Sequence, residues 1–96
     1  MENFESLYTK VSNLINNTKG DYAFFEVNDN FSYDIDFPTP VNNLSKPFEI
    51  KLVNWIGSEV QGGKSVMVLN HDKLDQLFNT FMHQTYNYMK GLQSVD

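Results

Sequence analysis

Asp34 and Asp36 are alternate residues in a run of β-forming side chains. In a strand that spacing projects both carboxylates from one face, about 7 Å apart, a separation that suits general acid/base work or a calcium ion. Paired acids on an exposed strand also serve as plain solvation and edge protection, so chemistry would need a partner group at hand. The chain offers none. Its serines form no Ser/His/Asp spacing and no nucleophile elbow, and cysteine is absent, which rules out thiolate chemistry, disulfides and Cys-type zinc sites.

The remaining candidates for chemistry fail on spacing. Gln61-Gly62-Gly63-Lys64-Ser65 resembles the end of a phosphate-binding loop, where glycine backbone cradles phosphates and the lysine reaches them. The motif needs its first glycine at Ser58, whereas Gly57 stands one residue early, and the segment that follows reads as a strand where the motif needs a helix. A glycine hairpin turn over residues 57–63 is the better reading. His71 and Asp75 could share a helical face and hold a metal, but Asp72 as N-cap and Asp75 three residues on complement a helix start. His83 falls opposite the apolar stripe of that helix, with Gln76, Thr80 and Asn87, as a solvated residue. The expectation is a non-enzymatic chain with no catalytic, cofactor-binding or metal-ligating residues.

Charge narrows the partners. The 96 residues carry a formal net charge of −5, and all seven basic residues are lysines. Without arginine there is no bidentate grip on phosphate or guanine, and scattered lysines on an acidic chain make a poor nucleic-acid binder. Twelve asparagines, with lysine in place of arginine, match the codon bias of an AT-rich genome, as in low-GC bacteria and their phages. Asparagine this frequent generates the sequons at Asn16, Asn30 and Asn43 by chance. Acidic residues and a helical pattern follow Met1, with neither a signal-peptide pattern nor a long apolar run, so the expected location is cytoplasmic.

The elements that position the acids are regular. A 41% hydrophobic, 15% aromatic chain of this length fills one core, giving a single domain over residues 1–96. Phe4, Leu7, Tyr8, Val11, Leu14 and Ile15 repeat at helical spacing over about residues 4–18, with Asn3 as N-cap and Gly20 just past the end. Residues 22–37 read as a β-hairpin. With Asn28, Asp29 and Asn30 as its loop, Val27 pairs with Phe31, Phe25 with Tyr33 and Ala23 with Ile35, all on one face; other loop lengths mix core residues with carboxylates. Asn30 would be the left-handed residue of that loop.

Pro38, Pro40 and Pro47 bracket a polar connection. Residues 48–56 alternate again, with Phe48, Ile50, Leu52 and Ile56 on one side and Glu49, Lys51, Val53 and Trp55 on the other. Residues 65–69 are apolar on both faces, as an interior strand would be. Leu74, Leu77, Phe78, Phe81, Met82, Tyr88, Met89 and Leu92 then form a helical stripe about 100° wide. The order is α-β-β-β-β-α: an α+β fold with three or four antiparallel strands and both helices on the sheet face that carries Phe25, Tyr33, Ile35, Ile50 and Leu52.

The opposite face then presents Tyr22, Phe24, Glu26, Asp34, Asp36, Glu49 and Trp55, with Tyr86 on the last helix as a further contact. Rings among carboxylates suit a basic protein surface. The functional expectation is therefore a small acidic inhibitor or decoy of phage or mobile-element origin, of anti-CRISPR or anti-restriction type. Such a protein would occlude the nucleic-acid-binding surface of a bacterial defence protein. A homo-oligomeric assembly component, or a small-ligand-binding protein with a pocket between helices and sheet, are the alternatives.

Overall fold

The computed structural model describes residues 3–37, 47–68 and 74–93. The Asn3 side chain accepts the Ser6 N–H at 2.8 Å and so starts helix α1 (Phe4–Asn17), whose Leu7, Val11 and Ile15 are fully buried. The helix stops at Thr18, where the extended backbone N–H and the hydroxyl both reach the Leu14 carbonyl, at 3.0 and 2.6 Å. Gly20 lies just past this end, as expected.

Strands β1 (Tyr22–Glu26), β2 (Phe31–Asp36), β3 (Phe48–Ile56) and β4 (Glu59–Val68) form one antiparallel sheet in sequential order. The first hairpin has the expected register: Phe25 lies opposite Tyr33 and Ala23 opposite Ile35, and the Val27 N–H donates to the Phe31 carbonyl at 2.9 Å. Asn30 is not left-handed, since among the described residues only Gly57 has a positive φ. The loop closes instead through the Asn28 side chain, whose oxygen accepts the Asn30 and Phe31 N–H groups at 2.8 and 3.1 Å.

The second hairpin departs further from expectation. Its turn is only Gly57 and Ser58, with Gly57 at φ +61°, and Gly62 and Gly63 lie inside β4. Asn54 pairs with Gly62 but Trp55 with Val60, so Gln61 is an extra residue and β4 carries a bulge there. A Cβ on Gly63 would run into the Leu52 carbonyl oxygen, and this close approach explains a glycine in mid-strand. Strand β4 is one of the two edge strands, and its Ser65 and Met67 are exposed, so residues 65–68 do not form an interior strand; Leu69 lies outside the described residues.

A π-helical turn (Leu74–Phe78) runs into helix α2 (Asn79–Gln93). Phe78, Phe81, Met82 and Met89 bury against Tyr33, Ile35, Ile50 and Leu52, and α1 joins the same cluster, so both helices cover one face of the sheet. Leu77 and Leu92 are 40% and 46% exposed and leave the stripe, and Ile56, though on the helix side by alternation, is 64% exposed at the end of β3, next to the Gly57–Ser58 turn. The connection that begins at Pro38 and Pro40, and the readings at His71 and Asp72, lie outside the described residues. No helix among those described is long and apolar enough to cross a membrane.

One polar pair is sealed in the core. The Thr85 hydroxyl donates back to the Phe81 carbonyl at 2.9 Å, so its oxygen is left to accept the Tyr33 hydroxyl at 2.6 Å. Burial pushes the Tyr33 pKa up to about 12, partly offset by Thr85, which can turn its proton toward a phenolate.

Two measurements check this packing. Gly63→Ala should lower unfolding stability by roughly 1 to 3 kcal/mol in urea, because backbone must shift to admit the methyl, whereas Gly62→Ala, which meets nothing within 4 Å, should be tolerated. Tyr33 is harder to ionise folded than unfolded, so its contribution is complete below pH 10 and declines as pH rises from 10 toward 12, by roughly 3 kcal/mol in all. In alkaline unfolding titrations, Tyr33→Phe should flatten that part of the slope.

Candidate binding face

The strand register builds the face turned away from the helices in rows. Across the sheet run Tyr22, Asp36, Glu49 and Met67; then Phe24, Asp34, Lys51 and Ser65; then Glu26, Ser32, Val53 and Gly63. Trp55 and Val60 pair in the next row, beyond the bulge. Glu26, Asp34, Asp36 and Glu49 face a single lysine, Lys51, while Tyr22, Phe24, Val60 and Met67 are each exposed by 47% or more. No strand pairs with the outer edge of β4 among the described residues.

Trp55 is the most firmly held member. Its indole N–H donates to Ser32 Oγ at 2.9 Å, its backbone N–H to the Asn30 carbonyl at 2.7 Å, and Asn30 Nδ2 returns a bond to the Trp55 carbonyl at 3.3 Å. Ser32, almost fully buried against that indole, passes its own proton to Asp34 Oδ1 at 3.3 Å. Partial desolvation, then the charge and hydrogen bond of Asp34 and the charge of Asp36, hold the Tyr22 phenol above its usual pKa. Beside Trp55, where the β1–β2 loop meets the sheet, lies a pocket of about 120 Å³ lined by Phe24, Glu26, Asp29 and Ser32 among others.

Seven of the eight residues singled out from sequence share this face. Tyr86 does not. It sits half-buried in the helix layer, edge-on to Phe4 at 5.5 Å between ring centres, with Lys90 Nζ 5.6 Å from its centroid. His83 is exposed, but its ring stacks on Phe4 at 4.0 Å, a contact between chain segments too distant in sequence for periodicity to show. Ser32, Val60 and Met67 were missed. Ser32 reads as an ordinary polar strand residue, and the other two depend on a bulge and an edge that alternation does not disclose.

Asp34 is engaged by the Ser32 hydroxyl, lies opposite Lys51 and holds the Tyr22 phenol, and no group of three metal-ligating side chains occurs among the described residues. Rings and carboxylates presented together take up cations and the aliphatic stems that carry them. The chain matches no family model, no curated protein and no solved structure.

Proposed function

We propose that this protein binds another protein through its open sheet face, as a non-enzymatic inhibitor or decoy that covers a basic, nucleic-acid-binding surface. One observation carries the reading: Asp36 lies directly opposite Glu49 in a row with no cation across the four strands. Like charges facing across a strand pair cost stability, a cost that a positive surface laid over the row would relieve. The exposed rings supply the apolar anchors.

A second copy of the chain is a poorer occupant, since face-to-face packing would set carboxylates against carboxylates. Small size, acidity and AT-rich composition support the finer assignment, a phage or mobile-element inhibitor of a bacterial defence protein, of anti-CRISPR or anti-restriction type. The partner's positive groove would be the part occluded.

Asp36→Lys separates the two roles of the residue. It replaces a repulsive pair by an attractive one, so the melting temperature should hold or rise, with a gain of about 0.2 to 1 kcal/mol. Affinity for the partner recovered by tagged capture and mass spectrometry should fall at least about tenfold. Association of the unmodified protein should slow as salt rises, since exposed charges are screened over about 8 Å at physiological ionic strength. Undiminished binding by the stable variant would remove the proposal.

A further inference from the structure

We infer that the pocket beside Trp55 is a receptor for one long cationic side chain, an arginine or lysine of the partner. This rests on the reading of the open face as protein-binding and names the group that the face would seat. The pocket, about 120 Å³, has room for the charged end of such a side chain and is too small for a larger organic ligand. Aromatic walls, Phe24 and Trp55, meet two carboxylate residues, Glu26 and Asp29, and no basic residue lines it.

The Trp55 wall is prepared for a cation. Three hydrogen bonds fix the residue, so little ordering remains to be done on binding. The chain of bonds from indole N–H to Ser32 Oγ to the Asp34 carboxylate ends on a full negative charge. Each bond polarises the next, which leaves the indole ring richer in electrons and a better surface for a cation. Asp34 thus acts on the pocket through Ser32 without lining it, as a positioning residue.

Trp55 is the only tryptophan, so its fluorescence and its indole N–H resonance report this pocket alone. The full chain is titrated with capped tripeptides Gly-Arg-Gly, Gly-Lys-Gly and Gly-citrulline-Gly, the last keeping the shape of arginine without its charge. Both cationic peptides should move the indole signals saturably, and the citrulline peptide should bind at least about fivefold more weakly. Glu26→Gln with Asp29→Asn should weaken the arginine peptide by about three- to thirtyfold, with the indole resonance of the free protein unmoved.

Equal response to citrulline, or indole signals indifferent to both cations, overturns the assignment. The two proposals fail separately. Silent peptides with partner binding still lost in Asp36→Lys would remove the pocket and leave the face. Responsive peptides with partner binding unaffected by Asp36→Lys would remove the face and leave the pocket.

Discussion

The register of β2 against its two neighbours is the constraint on which the rest depends. Tyr33 and Ile35 enter the core only because they stand opposite Phe25 and Ala23 on one side and Leu52 and Ile50 on the other. The same pairing sends Asp34 and Asp36 outward beside Phe24, Tyr22, Lys51 and Glu49. A slip of one residue would exchange the two sets, burying two carboxylates and exposing a tyrosine whose hydroxyl is matched to Thr85. Core and candidate surface are therefore specified by one choice, and the polar pair sealed between Tyr33 and Thr85 helps to fix it.

Much of this was legible because alternation and helical spacing are local properties. The β1–β2 register, the bounds of β3, the Asn3 cap and seven members of the open face follow from parity alone. What was not legible depends on neighbours that a strand's own sequence does not name. The apolar run after Lys64 says that side chains can be buried on both faces, but not that β4 is an edge strand with Met67 in the open. Two adjacent glycines read as a turn until the Leu52 carbonyl shows why one of them must lack a Cβ. The left-handed Asn30 failed because the Asn28 side chain supplies the same closure, and the helical angle of Tyr86 could not reveal Phe4 beside it.

The open face carries opposing tendencies that make sense together. Trp55 is tied down by its neighbours while Tyr22 and Phe24 stand half in water, and Asp36 faces Glu49 while Asp34 faces Lys51. Here rigidity is concentrated at one indole, and two like charges, Asp36 and Glu49, stand opposite each other in a neighbouring part of the sheet. In the proposed function those are the two places that a positive surface would engage.

The helix contacts also set the order in which the molecule can be completed. All four strands pair with sequence neighbours, so the sheet is a meander assembled from local contacts, which form quickly. The helices that cover it come from opposite ends of the described chain, and Phe4 must find His83 and Tyr86 across the whole sheet. During synthesis α1 and the strands emerge first, with Ile50, Leu52 and Val68 still waiting for the Phe78 and Met82 side of α2. The nascent domain thus shows an uncovered apolar face until residues 74–93 have left the ribosome, so completion of its core waits on the synthesis of α2.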